Sequence, residues 1–245
     1  MTLCGRSVLI TGGGSGVGAD LARGFASAGA RVVVAGRRPE PLTRIAAEIG
    51  GTAIPTDVTD PDAVARMFEQ AGQVEIVIAN AGTSGAAPFG KIESDMWQKM
   101  LTVNLTGAFL TLQSGLNQIG GWGRLIAVAS TAGLKGYAYA SAYAAAKHGV
   151  VGLVRSIALE VAARPVTANA LCPGFLDTEM TDRSVANIVE KTGLSPDDAR
   201  KRLAATNPQR RLIRPAEVTA AALWLCGPNS EGINGQAIPI AGGEI

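Results

Sequence analysis

A tyrosine and a lysine four positions apart carry the clearest chemical signal in the chain. Residues at positions i and i+4 of a helix share one face, so Tyr143 and Lys147 can point at the same bound molecule. A nearby ammonium group favours phenolate and is expected to lower the pKa of Tyr143, which suits the phenol to acid–base catalysis near neutral pH. Ser130 is expected where a buried strand ends, with its hydroxyl directed at a substrate oxygen opposite the tyrosine. Together these side chains predict proton transfer at an oxygen atom.

A glycine-rich turn is suited to binding phosphate. The run from Thr11 to Gly18 lies between a predicted strand and a predicted helix. Small residues let the backbone approach a pyrophosphate, and the start of the helix supplies free N–H groups and the positive end of its dipole. The turn therefore predicts a dinucleotide site. The residues expected to contact the cofactor here are Gly12, Gly14, Ser15, Gly16, Val17 and Gly18.

Two arginines stand where the second predicted strand ends. Folds that bind NAD usually place an acidic residue at this point to accept hydrogen bonds from the ribose, and Gly36 cannot do so. The guanidinium groups of Arg37 and Arg38 suit a 2′-phosphate. The sequence therefore predicts a preference for NADP(H), with NAD(H) as a possible second cofactor. Ser15 adds no positive charge to the turn, so this prediction depends on the two arginines.

Short apolar runs alternate with longer amphipathic stretches along the chain. Continuously apolar strands are buried on both faces, which is typical of a parallel sheet covered by helices on both sides. We therefore expect an α/β fold in which residues 1–245 form a single-domain, doubly wound, Rossmann-type parallel sheet. Strands are predicted at 7–11, 31–35, 52–56, 74–79, 124–129, 166–171 and 236–240. Helices are predicted at 17–28, 39–49, 61–71 (capped by Asp60), 93–119, 141–163 and 215–225.

One polar stretch interrupts this alternation. Residues 177–207 read as helical and charged, and are expected to form a small inserted lid over the substrate. The substrate pocket is expected to be lined by mostly small or apolar residues of the lid and of loops at the strand ends. These pocket segments are 84–86, 131–134, 136–139 and 175–189.

Composition limits the class of protein. Hydrophobic residues make up 47% of the chain and aromatic residues only 4%, as in helices that pack on a sheet. The net charge is +2 and no long basic run occurs, so no nucleic-acid partner is expected. We recognise no signal peptide and no apolar run long enough to cross a membrane. A cytoplasmic protein without a membrane partner is therefore expected.

The cysteines and the single histidine predict neither a metal site nor a hydrolase. Cys4, Cys172 and Cys226 are widely spaced and form no Cys-x-x-Cys pair, so buried free thiols and no bound metal are expected. His148 lies one step beyond the helical face that the tyrosine and lysine share. A Ser-His-Asp hydrolase, which needs a histidine in its site, is therefore excluded.

Over nearly its whole length the chain resembles the short-chain dehydrogenases/reductases. The gap of 13 positions from Ser130 to Tyr143 is the one that the family usually has. The matching motifs, in the family's order, are Thr11-Gly12-x-x-x-Gly16-x-Gly18, Asp57-Val58, Asn80-Ala81-Gly82, Asn104, Ser130, Tyr143-x-x-x-Lys147, and Pro173-Gly174 followed by Thr178.

The resemblance implies roles for the catalytic set. Tyr143 would exchange a proton with the substrate oxygen, and Ser130 would orient that oxygen. Lys147 would hold the nicotinamide ribose and lower the pKa of the tyrosine. Asn104 would hold a water that links the lysine to solvent; the alternative is a structural asparagine that kinks its helix.

The resemblance also implies how the cofactor is bound. Asp57 would accept a hydrogen bond from the adenine amine, with Val58 against the ring. The segment Asn80, Ala81 and Gly82 would line the adenosine side and steady the sheet. The residues expected to contact the nicotinamide are Pro173, Gly174, Phe175 and Thr178.

The implied reaction is hydride transfer between NADP(H) and a small-molecule carbonyl compound or secondary alcohol. Because the chain resembles β-ketoacyl-thioester and polyketide ketoreductases and 3-hydroxyacyl-CoA dehydrogenases, a β-ketoacyl or 3-hydroxyacyl thioester is expected first. A small ketone, sugar or cyclic alcohol is the alternative substrate. A non-catalytic NADP-binding sensor of the same fold is the alternative from another class.

The apolar pattern predicts self-association. Helices 93–119 and 141–163 carry apolar residues on more than one face, and the segment 233–245 is apolar and rich in glycine. One face of each helix packs on the sheet, and the resemblance implies that a second face pairs across a two-fold axis. Two perpendicular two-fold axes give the expected homotetramer.

Overall fold

The computed structural model describes residues 2–245. Among these residues, seven parallel strands form one sheet in the order β3-β2-β1-β4-β5-β6-β7. Because the order changes direction between β1 and β4, a crevice opens at the carboxyl ends of these two strands, where doubly wound sheets bind ligands. The strands are β1 (Ser7–Thr11), β2 (Arg31–Gly36), β3 (Thr52–Pro55), β4 (Ile76–Ala79), β5 (Gly123–Val128), β6 (Val166–Pro173) and β7 (Ala237–Ile240).

The helices agree with the expected pattern, and the fold class is confirmed. Proline at the first turn needs no intrahelical N–H bond, so Pro39, Pro61 and Pro215 mark helix starts. The helices are α1 (Gly16–Ser27), α2 (Pro39–Ile49), α3 (Pro61–Ala71), α4 (Ser94–Leu101), α5 (Gly107–Gln118), α6 (Ser141–Glu160), α7 (Glu179–Thr192), α8 (Pro196–Ala204) and α9 (Pro215–Leu225).

Two apolar layers cover the sheet. Successive strand residues point to opposite faces, so Leu9 packs with α3, α5 and α6 while Ile10 packs with α1, α2 and α9. Both side chains are fully buried. The covered sheet places its strand ends, and the loops that follow them, at one rigid edge. Within residues 2–245, none of the helices combines the length and the apolar character that a membrane span requires.

The prediction of one continuous helix over 93–119 is wrong in one respect. A π-helical turn, Thr102–Thr106, separates α4 from α5. Inside it, the side chain of Asn104 donates to the Met100 carbonyl and accepts from the Thr83 backbone N–H. Such side-chain bonds compete with the regular helical ladder and open it locally. The predicted end of α6 at residue 163 is also too late, because the helix ends at Glu160.

The polar stretch 177–207 contains α7 and α8. Paired backbone segments close its base, since Ile213 N–H donates to Phe175 and Asp177 N–H donates to Ile213. Its helices share a small apolar cluster of their own, apart from the two main layers. The members of this cluster are Val185, Ala199, Leu203 and Leu212.

Candidate active site

Ser130, Tyr143 and Lys147 meet at the carboxyl end of β5. Helix α6 sets the tyrosine and lysine one turn apart, with Lys147 Nζ 5.7 Å from the centre of the Tyr143 ring. The ammonium donates to the carbonyl of Val128, the last residue of β5, at 2.8 Å. Ser130 Oγ accepts from the Ala132 N–H at 3.1 Å, and the interaction of its hydroxyl with the Tyr143 phenol acts to lower the pKa of that phenol. The structure therefore brings the three predicted side chains together.

Burial dominates the electrostatics of this group. It raises the pKa of Tyr143, and the hydrogen bond with Ser130 only opposes that rise. The expected lowering of the tyrosine pKa is therefore wrong for this structure, because desolvation of the phenolate outweighs the favourable interactions. Burial also lowers the pKa of Lys147 to about 8, since the residue is only 5% exposed. The lysine is therefore poised to lose its proton in a mildly basic solution.

Asn104 lies beside the lysine. Its Oδ1 accepts from Thr83 N–H at 3.1 Å and its Nδ2 donates to Met100 at 3.0 Å. A Cβ on Gly82 would lie 2.9 Å from this Oδ1 and 3.8 Å from Lys147 Nζ. The side-chain oxygen of Asn104 and the ammonium of Lys147 therefore both border the position of Gly82. Both expected roles of Asn104 fit this placement: it sits in the helix irregularity and close to the lysine.

The glycine turn leaves the start of α1 open. Ser15 precedes the helix, but its side chain makes no capping hydrogen bond, and the first turn holds no acidic residue. Gly12 and Gly16 have φ of +67° and +52°, which side chains rarely adopt. A Cβ on Gly18 would lie 2.1 Å from the Gly12 carbonyl oxygen, so only glycine permits this close approach of helix and strand. The N–H groups of the turn can receive an anion.

The two arginines after β2 are exposed. Arg38 donates one hydrogen bond, to Ser15 Oγ at 3.3 Å, which ties it to the glycine turn. Gly36 has room for a small side chain, since a Cβ there would be 3.8 Å from Gly12 Cα. Arg37 and Arg38 therefore lie at the edge of the turn and are accessible to a ligand.

Asp57 and Val58 follow β3. The backbone N–H of Thr59 and, less strongly, the charge of Arg37 hold the pKa of Asp57 below its ordinary value. Its carboxylate also accepts from the Thr59 hydroxyl at 2.8 Å. Val58 is 5% exposed and packs against α5, where a Cβ on Gly107 would lie 2.8 Å from it. This segment therefore presents a fixed carboxylate next to a buried apolar side chain.

The segment after β4 joins the two central strands. Asn80 Nδ2 donates to the Thr11 carbonyl at 2.9 Å, and the N–H groups of Asn80 and Ala81 donate to Thr11 Oγ1. A Cβ on Gly12 would lie 2.9 Å from Ala81 Cα. The expectation that this segment steadies the sheet beside the glycine turn agrees with these contacts.

The residues after β6 approach the same crevice. Pro173 ends the strand in a buried position, and Gly174 and Phe175 follow. Thr178 lies against the glycine turn, with its methyl group 3.5 Å from the position of a Cβ on Gly16. The segment therefore connects the sheet edge to the helical segment 177–207.

The remaining reactive side chains lie outside this arrangement or within the core. His148 is exposed, as expected, and its Nδ1 faces the Ala144 carbonyl. Cys172 and Cys226 are buried, and burial raises the pKa of Cys172 to about 11. The expectation of buried thiols is wrong for Cys4, which is exposed on the strand-start side of the sheet. Within residues 2–245, no three His, Cys, Asp or Glu side chains are grouped to hold a metal ion.

One residue beside the site, Glu244, was not predicted from the sequence. Glu244, from the end of the chain, is hydrogen-bonded to Tyr137 and ion-paired with Lys135. Tyr137 belonged to a predicted pocket segment, but no motif or spacing in the sequence connects it with a glutamate 107 positions away. Only the pairing of β6 with β7 brings the end of the chain to this place.

Comparisons with known proteins agree with this geometry. The family model for short chain dehydrogenases matches residues 6–188. The 3-oxoacyl-(acyl-carrier-protein) reductase MabA of Mycobacterium tuberculosis is 36% identical over 244 residues, covering 97% of this chain and 92% of the relative.

Two solved structures share the fold over almost their whole length. A crystal structure of an actinorhodin polyketide ketoreductase variant with NADPH matches with a TM-score of 0.92 and 31% identity, covering 98% of this chain and 97% of that one. Levodione reductase matches with a TM-score of 0.92 and 30% identity, covering 98% of both chains. The chain therefore belongs to the short chain dehydrogenase family, as its motifs predicted, and is an oxidoreductase that acts on carbonyl or alcohol groups.

Proposed function

We propose that this enzyme moves hydride between NADP(H) and a carbonyl or secondary alcohol group, with Tyr143 exchanging the proton. The observation that carries the proposal is the meeting of Ser130, Tyr143 and Lys147 at the end of β5. The cofactor supplies or receives the hydride, and the chain positions both reactants. Tyr143 Oη gives its proton to the carbonyl oxygen during reduction, while the Ser130 hydroxyl hydrogen-bonds that oxygen. Asn104 connects Lys147 to solvent through water.

The residues around the crevice fit a dinucleotide. The open start of α1 receives the pyrophosphate, because its N–H groups carry no side-chain cap. Lys147 holds the nicotinamide ribose. The adenosine is contacted by Asp57, Val58, Asn80, Ala81 and Gly82, and the nicotinamide by Pro173, Gly174, Phe175 and Thr178.

The preferred cofactor is NADP(H), with NAD(H) as the weaker alternative. Exposed arginines beside the glycine turn support this preference, because Arg37 and Arg38 can donate charge-assisted hydrogen bonds to a 2′-phosphate. No carboxylate occupies position 36 to accept from an unphosphorylated ribose.

The substrate ranked first is a β-ketoacyl or 3-hydroxyacyl thioester. Two of the similar proteins, MabA and the actinorhodin enzyme, are named as reductases of 3-oxoacyl or polyketide compounds. A small ketone, sugar or cyclic alcohol is the second candidate, and the name of levodione reductase favours it. The segment 177–207 acts as the lid over either substrate.

A substrate panel tests the proposal. The purified enzyme is supplied with NADPH and, in turn, acetoacetyl-CoA, simple ketones and cyclic diketones, and the loss of NADPH absorbance is followed. Turnover of acetoacetyl-CoA with the highest kcat/KM supports the first candidate, and turnover of only the diketones supports the second. The absence of turnover with every compound, in both directions, would contradict carbonyl reduction.

The enzyme is further proposed to be a homotetramer. Large apolar side chains are exposed on α4, α5 and α6, namely Trp97, Phe109 and Leu159, and extended apolar surface on a monomer is uncommon. Light scattering at micromolar concentration tests this. A mass about four times the 25.0 kDa of one chain supports the tetramer, and a mass near that of one chain refutes it. The expected location in the cytoplasm stays a prediction.

A further inference from the structure

A buried carboxylate from the end of the chain reaches the loop that follows β5. The Glu244 side chain is 2% exposed, although it lies one residue before the C-terminus. Its Oε1 accepts a hydrogen bond from the Tyr137 hydroxyl and lies 3.0 Å from Lys135 Nζ. Two side chains of this loop therefore meet the end of the chain at one carboxylate oxygen.

The directions of the hydrogen bonds follow from the number of hydrogens. Tyr137 has one hydroxyl hydrogen, which goes to the Glu244 carboxylate. The Thr131 hydroxyl, 2.6 Å from the Tyr137 oxygen, must then be the donor in their contact. A directed chain thus runs from Thr131 through Tyr137 to Glu244. Thr131 is the residue next to Ser130, so the chain begins beside the proposed substrate-orienting hydroxyl.

Tyr137 also faces the rest of the site. Its ring meets the Phe175 ring edge-on, with centres 6.2 Å apart. Burial and the hydrogen bond to Glu244 raise the pKa of Tyr137, and the nearby phenol of Tyr143 adds to the rise. The Tyr137 hydroxyl therefore keeps its hydrogen and remains a donor to the carboxylate.

The two oxygens of this carboxylate are placed unequally, because Oε1 has both partners and Oε2 has neither. Glu244 Oε2 is buried and has no hydrogen-bond partner among residues 2–245. It is packed close to Gly174, where a Cβ would lie 3.1 Å away. A buried carboxylate oxygen without a donor is destabilising, and apolar groups of similar size often serve a core equally well. An unpaired buried oxygen of this kind calls for an explanation beyond packing.

We propose that Glu244 is a positioning residue for the carbonyl reaction, which acts through Tyr137 and Thr131 on the loop carrying Ser130. The inference rests on the proposed roles of Ser130 and Tyr143. Ser130 and Tyr143 stand at the two ends of this loop. The hydrogen bonds that run from Thr131 through Tyr137 to Glu244, here called the tether, hold the loop at positions 131 and 137. With the tether intact, the serine hydroxyl and the phenol keep the separation that one substrate oxygen requires. Small losses of such geometry reduce turnover strongly.

Kinetics of matched variants test the tether. Glu244→Ala and Tyr137→Phe are each expected to lower kcat/KM for the carbonyl substrate by about tenfold to a hundredfold, mainly through kcat. Glu244→Gln should recover most of this loss, because its amide oxygen can still accept from Tyr137. The dissociation constant of NADPH should change by less than about twofold, since Arg37 and the glycine turn are untouched.

The double variant separates a shared pathway from two independent defects. If Glu244 acts through Tyr137, then Glu244→Ala combined with Tyr137→Phe loses no more kcat/KM than the worse single variant. Glu231→Gln is the matched control, because Glu231 is a 63% exposed carboxylate that pairs with Arg124 near the start of β5. The control should keep full activity. Multiplying losses in the double variant, or a Glu244→Ala enzyme with more than half the normal kcat/KM, overturn the proposal.

A second readout does not need turnover. Hydrogen–deuterium exchange of residues 131–140 should be faster in Glu244→Ala than in the wild type, and unchanged in Glu231→Gln. If the wild type reduces no carbonyl compound, the proposed function fails, and the exchange experiment still decides whether the tether exists. Equal exchange in Glu244→Ala and wild type would refute it, and Tyr137→Phe, which removes the same hydrogen bond, serves if the alanine variant does not fold.

Discussion

The two cationic parts of the site are held in opposite ways. Arg37 and Arg38 stand exposed after β2, and the only side-chain hydrogen bond found for them within residues 2–245 joins Arg38 to Ser15. Lys147 lies on α6, is 5% exposed, and donates to the carbonyl of Val128 at the end of β5. The arginines keep their hydration until a ligand displaces it, whereas burial already opposes the charge of the lysine.

This contrast distinguishes the residues expected to bind the cofactor from those expected to take part in the reaction. In the exposed part, a substitution removes contacts to the ligand and leaves the fold almost unchanged. In the buried part, a substitution alters the chemistry and the stability of the folded state together, because the same desolvated groups serve both. The predictions below test that division, beginning with the largest expected effect.

Loss of the phenol should give the largest effect on the reaction. Tyr143→Phe is expected to lower kcat by about 10²–10⁴-fold, because the proton donor is lost while the ring remains. Its NADPH dissociation constant should stay close to that of the wild type. Glu231→Gln is the control, since this 63% exposed side chain lies near the start of β5, away from the site. A Tyr143→Phe enzyme with more than a tenth of normal kcat would remove this tyrosine from the mechanism.

The buried lysine should make stability depend on pH. Its pKa is about 8 in the folded state against an ordinary value of 10.5, so the unfolded chain binds more protons between these values. The contribution of Lys147 to the free energy of unfolding therefore rises with pH across this window, by up to about 3 kcal/mol, and is lost again as the pH falls to 8.

Denaturant unfolding at several pH values measures this contribution. The difference between wild type and Lys147→Met should change across the window. The thiol of Cys226, whose raised pKa acts in the opposite direction, cancels in that difference, whereas Cys172 does not, because its charge interacts with that of Lys147. Lys201→Met is the control, because Lys201 is 79% exposed and lies outside the site. A difference that is independent of pH would show that burial does not govern the charge of Lys147.

The arginines should affect cofactor choice and little else. Arg37→Ala and Arg38→Ala are each expected to weaken NADPH binding by about 1.5–3 kcal/mol and to leave NADH binding nearly unchanged. Gly36→Asp should shift the preference towards NADH, because its carboxylate repels the 2′-phosphate and can accept from a ribose hydroxyl.

Isothermal titration with NADPH and with NADH measures both dissociation constants and so tests the predicted preference. Gly36→Ala is the matched control, since the space around position 36 accepts a Cβ in ordinary contact and alanine brings no charge. Equal affinities of the wild type for NADPH and NADH, or the same shift in Gly36→Ala, would contradict the assignment.

Helix caps should give the smallest effects and compare the sheet layers with the lid. Asp60 accepts from two N–H groups at the start of α3, so Asp60→Ala should lower the free energy of unfolding by about 1 kcal/mol. Ser195 caps α8, in the segment 177–207, with one such bond, from the Asp198 N–H. Ser195→Ala should change global unfolding less, because α8 packs in its own small cluster. Equal losses would indicate that lid and sheet unfold as one unit.

Local signals explain why so much of the fold was predictable. Pro39, Pro61 and Pro215 start their helices where predicted, because the restriction on proline acts within one turn of chain. Continuous apolar runs identified the buried strands for a similar reason, since both faces of each strand are covered. At Asn104 the sequence offered a kinked helix only as an alternative and did not predict the π-helical turn, because one of its hydrogen bonds comes from Thr83 on a different segment.

The sequence by itself determined which side chains share a helical face and which turn can receive an anion. Tyr143 and Lys147 follow from helical spacing, and the glycine turn follows from backbone requirements that only small residues meet. The tertiary structure decided the charge state of the buried groups and the partner of Tyr137. Desolvation depends on every element packed around a group, so burial reversed the expected direction for the Tyr143 pKa. Glu244 reaches Tyr137 only because β7 pairs with β6 and returns the end of the chain to the loop after β5.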